Sequence, residues 1–308
     1  CTIFLGYATH RSRTSRGDGR EMKVYGSARA HAGISLLHAL GCGNGCSTPI
    51  DLSTYVGLVE GHSIPEGDEH NLLQLLLEVW KERDLPLPSG EIGWLVKSNI
   101  PTGIGLKSSS ALLIAAVNAL STGNSVILSD NVIFNLISAI QIKAGCSVSG
   151  GRDDIACSYF AATWIVDANA EGSGIIEQIE FPEKEVILVI RDMKKGLVDV
   201  RSFENLRPRF EQIVLKLSNG SPIDAFRMNG QAVAEAMGDE EALGICEDLE
   251  IRFGCPAAIS GSGPAIVVLC EPEQTEPVKQ HLKSKALEFV HTRTHHGVEL
   301  HWERDKWE

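Results

Sequence analysis

The 308-residue sequence has no apolar run long enough to cross a bilayer. Its longest apolar stretches, LLQLLLEVW (72–80) and ALLIAAVNAL (111–120), fall far short of the roughly 20 residues that a membrane helix requires. Positive charge is also scarce, because 28 lysines and arginines stand against 40 acidic residues, for a net charge of −12. A basic face for nucleic acid or anionic lipid is therefore not expected, and we predict neither kind of partner.

No C-x-x-C pair occurs among the eight cysteines. We therefore expect reduced thiols that mostly fill core positions, rather than a disulfide framework. Three histidines, His295, His296 and His301, lie close together near the C-terminus, but no thiol or carboxylate completes a recognisable zinc spacing. We expect these histidines to lie on the surface or on one face of a strand.

The first 21 residues differ in texture from the rest of the chain. RSRTSRGDGR (11–20) is polar, Arg-rich and without periodicity, whereas a folded pattern begins at Met22. We expect residues 1–21 to be a disordered or non-native extension, with translation starting at Met22. The apolar part of this segment is too short for a secretory signal, so a cytoplasmic location is expected.

Strand and helix patterns alternate after Met22. The stretch 23–61 predicts a strand, a helix-like segment, a Gly-rich loop and a second strand. Further helices are predicted at 68–83, 108–120, 129–145, 224–237 and 276–290, and strands at 91–99, 163–168, 175–181, 185–192, within 257–271, and at 297–303. The strands alternate too clearly for a fully buried parallel sheet, which favours an α+β fold. A break at Pro182 suggests two domains, 22–183 and 184–308.

The stretch PTGIGLKSSS (101–110) has the composition of a phosphate cradle. Two glycines give access to backbone N–H groups, the serines supply hydroxyls, and the helix that follows points its positive dipole end at the loop. The P-loop pattern fails, because Leu106 separates Gly105 from Lys107, and the dinucleotide pattern fails, because Ser108 stands where its third glycine belongs. A plain N-capped helix is the alternative, but a cap needs only one serine.

Three other segments have small residues beside chemically active ones. SVSGGRDDIACSYF (147–160) presents Asp153 and Asp154 at a turn, where one is a candidate general base or simply a helix cap. SGSGPAIVVL (260–269) allows close approach of backbone to a ligand or closes a hairpin, and it lacks the G-x-S-x-G hydrolase pattern. GSARAHAG (26–33) places Arg29 among small residues, as an anion clamp or as tight packing.

The order of these motifs resembles that of the GHMP kinase superfamily of small-molecule kinases. The resemblance runs from Met22 to about the end of the chain. GLKSSSA (105–111), DDIACSYF (153–160), ISLLHALGCGNGCSTPIDLSTYV (34–56) and AISGSGP (258–264) are most similar to the archaeal-type shikimate kinase branch. In the wider superfamily, Gly usually stands where this chain has Lys107. The resemblance implies an N-terminal α/β sandwich and a C-terminal ferredoxin-like α+β domain.

The resemblance also implies roles for individual residues. The loop around the ATP phosphates would be formed by Pro101, Thr102, Gly103, Ile104, Gly105, Leu106, Lys107, Ser108, Ser109 and Ser110. Ser108 and Ser109 are the candidate Mg²⁺ ligands and Asp153 is the candidate catalytic residue, with Arg29 in place of a lysine found in other branches. Substrate contacts are expected from Asp154, Arg152, Ser260, Gly261 and Gly263. One departure concerns a metal-binding Glu of some members, because this chain has Gln141-Ile142-Lys143 in that neighbourhood.

The implied reaction is the ATP-dependent phosphorylation of the 3-hydroxyl of shikimate. Arg29, Lys107, Arg152 and Arg201 are the candidate cations for the two anionic ligands, and a bidentate arginine would suit the shikimate carboxylate. Two alternatives stay open: homoserine kinase or another small-molecule kinase of the superfamily, and a catalytically inactive protein that senses a ligand. The oligomeric state is not predicted.

Overall fold

The computed structural model describes residues 13–15, 21–61, 68, 70–193 and 198–295. In this part of the chain no helix combines the length and apolar character needed to span a membrane. The predicted strand at 297–303, together with His296 and His301, lies outside the described residues. So does most of the segment 1–21, in which Arg13–Ser15 form a short strand that pairs with Glu21 to Lys23.

The first sheet is antiparallel throughout. Its strands are β1 (Arg13–Ser15), β2 (Glu21–Leu37), β3 (Asn44–Glu60), β4 (Ile92–Ser98), β5 (Trp164–Asp167) and β6 (Ile175–Gln178). The order is β1-β2-β3-β5-β6, and β4 pairs with the C-terminal half of β3. The prediction of a helix-like segment after the first strand is wrong. The strand β2 continues to Leu37, and only the short α1 (Ala39–Cys42) is helical. The apolar run that looked helical is strand buried on both faces.

Four helices follow or cover this sheet: α2 (Leu72–Glu82), α3 (Ser108–Asn124), α4 (Asp130–Lys143) and α5 (Arg152–Phe160). The carboxylate of Asp68 accepts the N–H groups of Leu72 and Leu73, at 2.7 and 2.9 Å, and so caps the start of α2. The small residues of α3 let it lie against β2. A Cβ on Gly26 would stand 2.3 Å from the carbonyl oxygen of Ala119, so that close packing requires glycine.

The second sheet is also antiparallel, with the order β10-β7-β9-β8. Its strands are β7 (Glu185–Ile190), β8 (Ala257–Ile259), β9 (Ile266–Cys270) and β10 (Glu288–Arg293), and its helices are α6 (Val200–Asn205), α7 (Arg207–Ser218), α8 (Pro222–Met237), α9 (Glu240–Phe253) and α10 (Pro272–Ser284). The predicted helix 276–290 ends earlier than expected, because residues 288–290 already belong to β10.

The α+β fold class predicted from the alternating strands is confirmed. In the sequence, the strands of the first sheet all precede residues 179–184 and those of the second sheet all follow them. The division of the chain into two domains at this point remains a prediction. Hydrogen bonds join the parts, among them the bond from the His38 N–H to Oδ1 of Asn229 at 2.9 Å and the bond from the Ser260 hydroxyl to the Gly105 carbonyl at 2.9 Å. The second of these joins the two small-residue motifs of the sequence.

Candidate active site

A cleft of about 1050 Å³ opens where the loop before α3 meets the start of α5 and the turn after β8. This volume is large enough for a nucleotide together with a small acceptor. From the predicted phosphate loop, the lining residues are Thr102, Gly103, Gly105, Leu106, Lys107, Ser108 and Ser109, and from the other motifs they are Asp153, Asp154, Gly261 and Ser262. Three stretches that lie far apart in the sequence therefore share one cavity.

The loop before α3 presents free backbone donors to this cleft. The first bond of the helix runs from the Ala111 N–H to the Lys107 carbonyl at 3.0 Å, so the N–H groups of Ser108, Ser109 and Ser110 precede the helical ladder. Gly103 has a φ of +73°, and a Cβ built there meets nothing within 4 Å. These donors and the open space above the loop fit the phosphates of a nucleotide.

Lys107 is the most unusual residue of the loop. It has a left-handed φ of +66°, which is rare for a residue other than glycine, and its side chain is buried. Its Nζ lies 2.6 Å from Oδ1 of Asp154 and donates to Oγ of Ser35 at 2.7 Å. Burial lowers the pKa of Lys107, but the charges of Asp154 and Asp153 outweigh that effect and hold the pKa above its ordinary value. The ammonium group is therefore charged at the floor of the cleft.

Asp153 and Asp154 begin α5 but have different surroundings. Asp153 is only 6% exposed, and the Ser47 hydroxyl donates to its Oδ2 at 3.0 Å. Burial, and next the charge of Asp154, raise the pKa of Asp153 to about 7, although Lys107 acts in the opposite direction. A carboxylate poised near neutral pH suits a general base, whereas Asp154 forms the ion pair with Lys107.

The turn after β8 supports the phosphate loop from the other side. The Ser260 hydroxyl is fully buried and donates to the Gly105 carbonyl, and the Gly261 N–H donates to Oγ of Ser35 at 3.1 Å. Ser260 and Gly263 do not line the cleft, so their place favours a role in positioning the loop over the predicted contact with substrate. Gly261 does line the cleft.

Two predicted arginines are not brought to this cleft. Arg29 lies on β2, donates from Nε to the Ser53 hydroxyl at 2.8 Å and is not a lining residue. Arg152 donates to the Gly172 carbonyl and to Oδ1 of Asn135, so its guanidinium is held on the far side of α5. No arginine in the described part of the chain, Arg201 included, lines the cleft, and the roles of Arg29 as clamp and Arg152 as substrate ligand stay predictions.

Two polar residues of the site, Ser35 and Ser47, were not expected from the sequence, and a third, Gln141, was noted only as a departure from a metal-binding Glu. Ser35 and Ser47 are buried in β2 and β3 and hold Lys107 and the Asp153 carboxylate. Gln141 on α4 lines the cleft, and its Nε2 donates to the Ser110 hydroxyl at 2.8 Å, which withdraws Ser110 from the cavity. The only signal was a polar residue inside an apolar strand or helix, which by itself does not distinguish a site residue from a satisfied core residue.

The site has a limited set of oxygen ligands for Mg²⁺. The hydroxyls of Ser108 and Ser109 line the cleft beside the free amides, and the carboxylates of Asp153 and Asp154 face them. Magnesium is usually held by one or two protein oxygens together with phosphate oxygens and water, and this donor set fits that pattern. Gln141 contributes an amide where a carboxylate would bind the ion more strongly.

Comparison with known proteins supports the same family. Residues 71–162 match the GHMP kinases N terminal domain, a span that contains both the loop and Asp153. The chain is 28% identical over 266 residues to a shikimate kinase of Pyrococcus abyssi, covering 81% of this chain and 93% of that one. It is 28% identical over 281 residues to a shikimate kinase of Methanosarcina acetivorans, covering 87% and 92%.

Solved structures share the fold at much lower identity. The mevalonate kinase of Methanococcus jannaschii superposes with a TM-score of 0.69 at 15% identity, over 88% of this chain and 98% of that one. The phosphomevalonate kinase of Streptococcus pneumoniae gives a TM-score of 0.69 at 14% identity, over 86% and 98%. The predicted resemblance to GHMP kinases is therefore confirmed.

Proposed function

We propose that this chain, a small-molecule kinase of the GHMP superfamily, transfers the γ-phosphoryl group of ATP to the 3-hydroxyl of shikimate. The observation that carries the chemistry is the meeting of Lys107, Asp153 and the amides of residues 108–110 in one cleft. The choice of shikimate is supported by the relatives that carry this name and by the Lys-Ser-Ser-Ser form of the loop. A cytoplasmic location and the absence of a nucleic-acid partner stay predictions.

In this proposal the protein acts mainly by positioning and by cancelling charge, as phosphoryl transfer through a loose transition state requires. The N–H groups at the start of α3 and the Lys107 ammonium face the phosphate oxygens. Asp153 accepts the proton of the acceptor hydroxyl, because its raised pKa makes it a base near neutral pH. Mg²⁺, when bound with the nucleotide at Ser108 and Ser109, supplies further positive charge to the phosphates.

The acceptor's carboxylate needs a cation, and the residues of the cleft narrow the choice. Lys97 and Lys107 are the lysines among the described lining residues, and this proposal assigns Lys107 to the phosphates. Lys97 lies at the exposed edge of β4, so we propose it as the residue that meets the carboxylate of the acceptor. This replaces the bidentate arginine expected from the sequence.

An acceptor panel tests the proposal. Purified protein with ATP and Mg²⁺ is offered shikimate, homoserine or mevalonate, and ADP release is measured together with the phosphorylated product. Turnover of shikimate alone supports the assignment, and turnover of homoserine or mevalonate instead would overturn the substrate. Turnover of none, with ATP still bound, would favour the ligand-sensing alternative. Asp153→Asn serves as the matched inactive protein, and it should retain nucleotide binding.

A further inference from the structure

A second polar cluster lies away from the cleft, where the C-terminal end of the described chain crosses back to the first sheet. It consists of His31 on β2, Asp51 on β3 and His295 just after β10. One nitrogen or carboxylate oxygen from each residue lies within 4.8 Å of the other two. The imidazole rings of His31 and His295 stack with centroids 3.8 Å apart. His295 was expected on the surface or on one face of a strand; it is instead 6% exposed and lies outside any strand.

Two ring nitrogens of this cluster take part in no hydrogen bond within the described residues. Nδ1 of His295 lies 2.6 Å from Oδ1 of Asp51, and Nε of Arg293 donates to Oδ2 of Asp51 at 2.6 Å. Nε2 of His295 and Nδ1 of His31 are buried and have no partner among the described residues. Buried polar atoms in proteins nearly always have a hydrogen-bond partner or a ligand, so two unpartnered ring nitrogens in one cluster point to a ligand site.

The arrangement matches the donor set of a transition-metal site. A histidine that donates from one ring nitrogen to a carboxylate keeps a lone pair on the other nitrogen, and this is how metal-bound histidines are usually held. His31 offers a second imidazole nitrogen beside it, and imidazole with carboxylate is a common ligand set for zinc. We propose that His31 and His295 hold one divalent transition-metal ion of the Zn²⁺ class as nitrogen ligands, with Asp51 as the carboxylate that orients the His295 ring.

The neighbouring charges set a limit on the affinity. Asp51 is paired with Arg293, and Arg29 lies on the same strand as His31, so two guanidinium groups act against a dication. We therefore expect weaker binding than at a closed site with four protein ligands, with water or a further ligand completing the shell. The cluster is separate from the phosphate loop, and the proposal does not depend on the function of the cleft.

An ion here would act as a clamp. The backbone already holds the chain at this place, because the His295 N–H donates to the Pro49 carbonyl at 2.9 Å and Thr294 bridges to Ile50. A metal ion bound by both imidazoles would add a link between His31 on β2 and His295, which follows β10. It would therefore fasten β10, and with it the second sheet, to the first sheet.

Zinc titration compares the chain with a variant that keeps the ring stack. Full-length protein freed of metal by a chelator is titrated with Zn²⁺ alone, in competition with a chromophoric chelator. His31→Phe preserves an aromatic ring against His295 but removes the ligand nitrogen, and it should bind one Zn²⁺ fewer than the wild type. The matched control is His281→Gln, which removes an imidazole bonded to a single carboxylate, Asp248, and should leave the zinc count unchanged.

A second measurement does not depend on how the variants fold. Wild-type crystals soaked in Zn²⁺ should show an anomalous peak, recorded at the zinc edge, between the three side chains. Zinc should also raise the melting temperature of the wild type but not that of His31→Phe. Equal zinc binding by wild type and His31→Phe, or a water at the cluster with zinc bound only elsewhere, would overturn the proposal.

Discussion

The Nζ atom of Lys107 lies 2.6 Å from Oδ1 of Asp154, although the backbone of Lys107 has a φ of +66° that favours glycine. A left-handed conformation costs a residue with a side chain roughly 1–2 kcal/mol. The superfamily motif that this loop resembles usually has Gly there. The strained backbone of Lys107 thus places a buried positive charge beside two carboxylates, at the point where phosphates are expected to bind.

Lys107→Gly should distinguish the effect of the strained backbone on stability from the effect of the ammonium charge on catalysis. The substitution relieves the positive φ, but it leaves Asp153 and Asp154 without their cation and removes a positive group from the phosphates. We expect kcat to fall by at least about 100-fold, since charge stabilisation of the transition state is a large term in such reactions. The measurement is steady-state ADP release with shikimate, alongside the melting temperature.

Ser125→Gly is the control for Lys107→Gly. Ser125 is an exposed helix C-cap with a φ of +56°, far from the cleft residues in sequence and not among them. Glycine there relieves the same left-handed strain and should leave kcat unchanged. If Lys107→Gly behaved in the same way, the charge of Lys107 would have no part in catalysis.

Because the pKa of Asp153 is raised in the folded protein, Asp153→Asn should become more stable relative to the wild type as the pH rises. Between the ordinary pKa of 3.8 and about 7, the unfolded chain loses a proton at Asp153 that the folded chain keeps, so the wild type loses stability as pH rises through this window. Asparagine cannot ionise and escapes the loss. The melting temperature of the variant relative to the wild type should therefore rise from pH 4 to pH 7 and then level off.

The same pKa predicts the activity profile of the wild type. If Asp153 is the base, kcat/KM for shikimate should increase with pH and reach half of its plateau near pH 7. Asp192→Asn removes a carboxylate at an exposed position that is not part of the cleft lining, and as the matched control it should keep the wild-type kcat/KM profile. A flat kcat/KM profile, or activity retained by Asp153→Asn, would move the role of base to Asp154.

The sequence predicted the elements of the site better than their partners. The loop, the Asp turn and the late glycine turn were recognisable because backbone requirements, such as positive φ at Gly105 and at Gly261, leave a local trace in the residue types. The serine partners of Lys107 and Asp153 left none, since Ser35 lies 72 positions from Lys107 and Ser47 lies 106 positions from Asp153, each in a strand. The position of Arg29 and Arg152 outside the cleft left no local trace either, because the direction of a side chain depends on tertiary packing.

Gly105→Ala should disrupt the contact between the phosphate loop and the turn after β8. Gly105 has a φ of +89°, and a Cβ there would stand 2.1 Å from the carbonyl oxygen of Ser260, which is backbone and cannot swing away. We expect a lower melting temperature and at least a tenfold rise in KM for ATP, because the loop must move.

Gly90→Ala provides the comparison for Gly105→Ala. Gly90 has a φ of +97°, but its surroundings are open, so the substitution carries only the conformational strain of about 1 kcal/mol. It should lower the melting temperature slightly and leave KM for ATP unchanged. Equal KM values in the two variants would show that the contact with Ser260 does not shape the nucleotide site.

Arg191→Met tests whether the buried ion pair between Arg191 and Asp239 stabilises the turn after β8. The guanidinium, 3% exposed, donates to the Pro264 carbonyl at 2.7 Å and to Asp239 Oδ1 at 2.8 Å. Removing one partner of a buried pair leaves the other charge uncompensated, so we expect a loss of about 3 kcal/mol at neutral pH. Because the turn contacts Gly105, KM for ATP should rise several-fold while kcat changes less.

The pH dependence of the stability lost in Arg191→Met shows how much of that loss comes from the ion pair with Asp239. The hydrogen bond from Arg191 lowers the pKa of Asp239, so the pair stabilises the fold above the ordinary pKa of 3.8 and loses its effect as pH falls through the lower folded value. The stability difference between wild type and variant, measured by urea unfolding, should therefore shrink below pH 4. Arg252→Met, which breaks an exposed pair with Asp248, should cost no more than about 1 kcal/mol. A difference for Arg191→Met that stayed constant with pH would assign its effect to lost packing and to the Pro264 contact.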